Sequence, residues 1–419
     1  MALCCKTVYD MSIPALCSSV VLRTPLQLNA FCEFMTLHPL CIPYVHHLRL
    51  RTSLTMQWMK GPMATLVAIS FGADLLADVL ARADNLTTLA IEHADRVLNE
   101  SLELIAALRS RPRLLNLTLT HAGPRALDLV SGLRTVQRLD LHRQPQVDVR
   151  APPVRASAYL APIAPTLRTL VLSTPTHSDE REFDGVLCPA LSELQLTTRS
   201  AVLERWFAPF PAVRRLTIRA DWSVVDAFPA AWSSLPWTIL DRLVGNIQGL
   251  CSLGIACEVR FIGIDPPPVT GGHPDPFGDP AYEAMFMELL SRTRPTALAL
   301  GYSSLRASSN TRVFALLADT QHQLRFLDVS VLSRDWLELM ASLDKAPAEQ
   351  PVKDHSWLLR FVAKEVAAAK YIEMSCPPAR ISRGWYRITR KGADPPLLET
   401  LSEAHGLALR KQWTYPSTP

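Results

Sequence analysis

Leu114-Leu115-Asn116-Leu117-Thr118-Leu119-Thr120 is the stretch on which the fold of this chain turns. It follows Leu-x-x-Leu-x-Leu, with apolar residues at Leu114, Leu117 and Leu119 and polar ones at Asn116, Thr118 and Thr120. Alternation of period 2 marks a short strand with one buried face. The phrase returns as Val136-Gln-Arg-Leu-Asp-Leu-His142 and as Leu191-Ser-Glu-Leu-Gln-Leu-Thr197. A strand that cannot bury its own apolar face, repeated along a chain, predicts stacked units sharing one core.

The spacing supports that reading. Units starting at Leu114, Val136, Leu167, Leu191 and Val213 follow one another at 22, 31, 24 and 22 residues. Most of these gaps fall in the roughly 20–29-residue range of leucine-rich repeats. Further strand candidates end in Leu48-Arg49-Leu50, Leu89-Ala90-Ile91, Leu170-Val171-Leu172 and Leu216-Thr217-Ile218. Weaker ones end in Leu253-Gly254-Ile255, Leu298-Ala299-Leu300, Leu327-Asp328-Val329 and Ile372-Glu373-Met374. Helical patterns lie between them, at Leu75–Leu80, Ser101–Arg109, Tyr282–Leu290, Val313–Leu317 and Trp336–Leu343. The predicted class is α/β: a solenoid or horseshoe with parallel strands on the concave face and helices outside. It occupies residues 41–390, with a distinct segment at 1–40 and a partly disordered tail at 391–419.

In residues 1–40 the pattern predicts a helix broken at Pro14, a strand-like Ser19–Leu22 and an amphipathic helix over Asn29–Leu37. The prolines of Arg143–Pro165 and Asp265–Pro280 predict long loops. Another helix is expected over Leu397–Leu409.

Composition narrows the function classes. The 419 residues carry 43 Lys and Arg against 39 Asp and Glu, a net charge of +4. That balance predicts neither a nucleic acid nor an anionic membrane as partner. The apolar run Met63–Ala81 holds Asp74 and Asp78 and fails as a membrane span. Nine cysteines, none in a Cys-x-x-Cys pair, read as reduced thiols of a cytoplasmic or nuclear protein. Phosphate-binding, zinc-hydrolase and nucleophile-elbow motifs do not occur, so no catalytic residue, metal or cofactor is expected. The adjacent pair His46-His47 points to opposite faces of a strand. Asp179-Glu180-Arg181-Glu182 reads as a solvated loop. Trp206, Trp222, Trp232 and Trp237 read as packing residues.

In each unit the leucines point inward and the x positions outward, which singles out a candidate partner-binding face. It comprises His47, Arg49, Arg51, Glu92, Asn116, Thr118, Thr120, Arg138, Asp140, His142, Glu193, Gln195, Arg215, Arg219 and Asp328. Its charges are of both signs, which suits a protein partner better than a polyanion.

Leu3-Cys4-Cys5-Lys6-Thr7-Val8-Tyr9-Asp10-Met11-Ser12-Ile13-Pro14-Ala15-Leu16, running on to Leu22, resembles the second half of an F-box with its exit into repeats. Tyr44–Leu50 resembles the first repeat strand of fungal F-box proteins of the leucine-rich-repeat type. The resemblance implies adaptor binding through Leu3, Cys5, Val8, Tyr9, Ile13 and Leu16. It further implies the substrate-recognition role in an SCF-type (cullin-RING) ubiquitin ligase, with an unidentified protein substrate on the repeat face. The family's opening Leu-Pro-x-Glu helix would lie upstream of these residues, so the F-box is incomplete here, by truncation or degeneration. The alternative is a leucine-rich-repeat scaffold without a ligase role, residues 1–40 serving only as a cap.

Overall fold

The computed structural model describes residues 6–51, 72–143, 154–173, 182–198, 206–220, 235–265, 280–301, 313–314, 316–318, 323–330, 356–376, 381–390 and 395–414. The chain is an α/β protein of two compact units, the first essentially residues 1–200 and the second 213–419. Among the described residues, no helix is long and apolar enough to cross a membrane.

Among its described residues unit 1 holds seven strands: β1 (Ser19–Leu22), β2 (His47–Leu50), β3 (Thr88–Ile91), β4 (Asn116–Ala122), β5 (Arg138–Arg143), β6 (Thr169–Ser173) and β7 (Glu193–Thr198). Each pairs in parallel with the next in chain order. Its helices are α1 (Lys6–Ser18), α2 (Pro25–Leu37), α3 (Ala73–Arg82), α4 (Ala94–Asn99), α5 (Leu102–Arg109), α6 (Pro124–Ser131) and α7 (Ala156–Leu160).

The repeating phrase sets the register. Leu48, Leu89, Leu117, Leu139, Leu170 and Leu194 stand side by side across six strands. One step along, Leu50, Ile91, Leu119, Leu141, Leu172 and Leu196 make a second row, and every member of both rows is buried. Shifting any strand by one residue would turn its leucines out, so apolar burial enforces the register. The rungs also share a backbone signature. One carbonyl accepts two successive N–H groups of the next strand's start: His46 from Thr87 and Thr88, Thr87 from Leu115 and Asn116, Leu115 from Gln137 and Arg138. Gln137 does so for Arg168 and Thr169, and Arg168 for Ser192 and Glu193.

Neighbouring units also cap one another. Asp95 of α4 accepts the Arg125 N–H at 2.7 Å and the Ala126 N–H at 3.2 Å, satisfying donors at the start of α6. Gly123 precedes that helix, and a Cβ there would stand 2.6 Å from the Asp95 carboxylate.

Several expectations need correction. Among the described residues the sheet already includes Ser19–Leu22, since β1 pairs with β2, so it starts inside the segment 1–40 that the sequence sets apart from the array. Helix α1 runs through Pro14 instead of breaking there. Proline removes one N–H and strains one turn, but that local cost does not stop the helix continuing to Ser18. Helix α2 starts at Pro25, earlier than Asn29, because Thr24 caps it by accepting the Gln27 N–H. The proline-rich stretch after Arg143 contains α7. Glu182 is 1% exposed rather than solvated. Its carboxylate takes the Arg143 guanidinium at 2.7 Å and the Ala156 N–H at 3.1 Å.

Unit 2 holds β8 (Arg215–Ala220), β9 (Ile239–Gly245), β10 (Glu258–Ile264), β11 (Ala297–Leu300), β12 (Phe326–Ser330), β13 (Tyr371–Cys376), β14 (Ile381–Thr389) and β15 (Leu397–Thr400). The strands from β8 to β13 are parallel, and β14 and β15 close the unit antiparallel. The helices with full bounds among its described residues are α8 (Ile247–Ser252), α9 (Pro280–Thr293), α10 (Ser356–Glu365) and α11 (Glu403–Thr414). The carbonyl signature continues, with Arg214 accepting from Asp241 and Arg242 and Arg325 from Lys370 and Tyr371.

Two strand assignments change here. Leu253-Gly254-Ile255 is a turn, with Gly254 at φ 60°. The strands nearby are β9 and β10, whose phrases are Leu240-x-x-Leu243-x-Gly245 and Val259-x-x-Ile262-x-Ile264. The described residues 395–414 form β15 and then α11, not one helix from Leu397. Trp206 and Trp237 are buried as packing residues; Trp222 and Trp232 lie outside the described residues, as does Trp336–Leu343. Cys17, Cys32, Cys41, Cys188, Cys251 and Cys257 are buried free thiols, and burial pushes Cys32, Cys188 and Cys251 up to about 12.

Candidate functional site

The x positions of unit 1 fall into three registered rows on the strand face opposite the leucines. The first runs His47, Thr88, Asn116, Arg138, Thr169, Glu193. The second runs Arg49, Ala90, Thr118, Asp140, Val171, Gln195. Thr120, His142, Ser173 and Thr197 begin a third, and Arg51 and Glu92 follow β2 and β3 directly. Adjacent rungs lie about 4.8 Å apart, so the rows present closely spaced donors and acceptors. The sequence-predicted members of this face that lie in unit 1 are exposed or half-buried.

The face is organised by local pairs. Arg49 and Arg51 converge on Glu92 at 3.6 and 3.4 Å. Asn116 Nδ2 donates to Thr88 Oγ1 at 3.2 Å. Asp140 meets His142 Nε2 at 2.9 Å, and this hydrogen bond holds the imidazole pKa above its ordinary value despite partial burial. Exposed ion pairs of this kind contribute at most about 1 kcal/mol each, so their role is to orient side chains.

At the edge of this face, where β3 and β4 end, two histidines stack. The His93 and His121 rings lie 4.2 Å apart and 15° from parallel. Both backbones are left-handed, with φ of 53° and 51°. Burial, then the neighbouring His121, lowers the His93 pKa. Face-to-face stacking does not aim both rings' nitrogens at one ion. His46, by contrast, is tied to the Asn85 carbonyl at 3.1 Å while His47 is exposed.

The adaptor-binding set is placed only in part. Leu3 and Cys5 lie outside the described residues, and Val8 and Tyr9 belong to α1. Ile13 is half-buried and Leu16 is 61% exposed. Met11, Leu26, Leu37 and Leu40 are also exposed in α1, α2 and the short 3-10 helix Pro39–Tyr44.

Unit 2 bears the same rows with different chemistry. Arg215, Arg242, Phe261, Ala297, Phe326 and Tyr371 form one, and Thr217, Val244, Gly263, Ala299, Asp328, Glu373 and Trp385 the next. Val244, Phe261, Ala297, Phe326 and Trp385 make an apolar cluster, with Trp413 of α11 packed on it. Arg410 of α11 reaches Asp328 at 3.6 Å and Glu373 at 3.5 Å. Asp328 therefore lies on the expected face but is buried, and Phe326 with it, so neither is open to a partner. Arg215 is half-buried, and Arg219 is exposed and pairs with Asp265 at 3.4 Å. Sequence reasoning missed Arg242, Glu373, Trp385, Arg410 and Trp413. The signal for Arg242 was present in Leu240-x-x-Leu243, cut short at Gly245, where a Cβ would meet the Ile218 carbonyl oxygen.

No protein-family model matches this chain, and no curated protein matches its sequence.

Proposed function

We propose that this chain is a leucine-rich-repeat recognition scaffold, a horseshoe in architecture, that binds a protein partner on the strand face of unit 1. One observation carries the reading: three registered rows of mostly polar side chains, of both charge signs and interrupted by Ala90 and Val171, lie over two buried rows of leucine and isoleucine. Such a face offers specificity through complementary charge, and repeat stacking makes it wide. Its place in the cell would be the substrate-receptor subunit of an SCF-type ubiquitin ligase, cytoplasmic or nuclear, without chemistry of its own. The exposed apolar residues Met11, Leu16, Leu26, Leu37 and Leu40 support this, because adaptor docking needs such surface near the N-terminus.

Co-purification with the ligase adaptor tests the proposal. Binding should be lost with Leu16→Glu, which leaves the fold alone because Leu16 is exposed. No adaptor binding by this chain, nor by one extended upstream, would remove the ligase role. The second reading then applies, a scaffold whose first elements serve as a cap. It has its own support: β1 pairs with β2, so residues 19–22 already form the first rung of the array.

A further inference from the structure

The strand face of unit 2 already has an occupant. Helix α11 lays one stripe on it: Gly406, Leu409, Arg410 and Trp413, at i, i+3, i+4 and i+7. Trp413 packs on the apolar cluster, Leu409 is buried, and Arg410 spans the Asp328 and Glu373 carboxylates. Gly406 lies against Trp385, and an added Cβ would overlap the indole. Glycine inside a helix weakens it, so this position serves close approach rather than helix formation. Anchors at this spacing are those by which an amphipathic helix docks into a groove.

The fit is incomplete. Arg410 keeps 35% of its side chain exposed, and its approaches to Asp328 and Glu373, at 3.6 and 3.5 Å, are longer than the about 2.8 Å of a bidentate guanidinium–carboxylate pair. Beside it a cavity of about 390 Å³ remains, lined by Arg242, Phe261, Gly263, Asp265, Asp328 and Arg410. The rest of the helix, from Glu403 to His405 and at Leu407, Ala408, Lys411 and Gln412, faces away and is exposed. A helix of this length is marginal by itself in water, so its order depends on the stripe.

We propose that the strand face of unit 2 is a docking groove for a helical segment of a partner protein, carrying an arginine with an aromatic residue one turn later, and that α11 is its resident competitor. The buried carboxylates select the occupant. Exposing the groove without a cation leaves Asp328 and Glu373 with less compensation, so one arginine-bearing helix is exchanged for another and a purely apolar ligand is refused. The proposal uses no residue of unit 1 and stands whether or not the ligase reading does.

A fluorescent peptide with the sequence of residues 403–414 serves as the probe helix, titrated into the full-length chain and read by anisotropy. Gly406→Ala in the chain improves helix propensity but undocks α11 from Trp385. That variant should bind the probe at least about 10-fold more tightly than the wild-type chain, because its own helix competes less. A probe carrying Arg410→Glu should bind neither. Equal binding to both chains, or none to a folded Gly406→Ala chain, overturns the proposal. Should that variant not fold, hydrogen exchange on the wild-type chain decides. Amides of 403–414 should exchange about 100-fold faster than those of β12 and β13, and equal protection overturns the idea. A wild-type dimer that exchanges α11 between copies would make the second copy the occupant and refute the partner.

Discussion

Leu117 and Thr118 are neighbours with opposite duties. Leu117 stands between Leu89 and Leu139 in a buried row, and Thr118 between Ala90 and Asp140 on the open face. Leu117→Asp should lower stability by about 4 kcal/mol, since it places an unpaired charge among leucines. Thr118→Asp should cost under about 1 kcal/mol, the repulsion from Asp140 included. Chemical denaturation separates the two, and equal losses would contradict the register. The face also carries a titration signature. Asp140 raises the His142 pKa, so this pair contributes stability below pH 6.5 that is lost as pH rises through the raised value. His93 has the opposite sign: its pKa is lowered, so stability is full above 6.5 and falls as pH drops through the folded value. In an NMR titration His142 should titrate above 6.5, and Asp140→Asn should bring it down. An unchanged midpoint in that variant would show that the hydrogen bond is not the cause.

At the scale of elements, strands were legible and helices less so. A strand of this array needs only Leu-x-x-Leu-x-Leu, which burial imposes on every rung. Short helices such as α4, α6 and α8 span less than three turns, too few for a clear period. The strands β9 and β10 escaped notice because glycine, valine and isoleucine replace leucine in their phrases. The segment around α7 shows why proline content misleads. Arg143 at the end of β5 and Glu182 beyond β6 form a buried ion pair that pins the N-terminus of α7, 39 residues apart in sequence. Glu182→Gln should cost about 3 kcal/mol by leaving the guanidinium under-compensated, and Arg143→Leu combined with Glu182→Met should recover much of it. Urea unfolding of the single and double variants checks this, and an unaffected single variant would show the pair to be dispensable.

For the molecule as a whole, the fold class and the order of its strands were written in the leucine phrases, because an apolar row must recur wherever a rung is stacked. The same parity assigned each outward residue to its face, from His47 to Asp328. Whether a face is open was decided only by tertiary structure. In unit 1 most of the rows stay accessible, while in unit 2 the positions around Phe261, Asp328 and Glu373 lie beneath α11. The contact joins Arg410 to Asp328 and Glu373, residues that share no local pattern. Alternation along a strand states which side a residue points to. What covers that side depends on residues far away in the chain, and no window of sequence contains both.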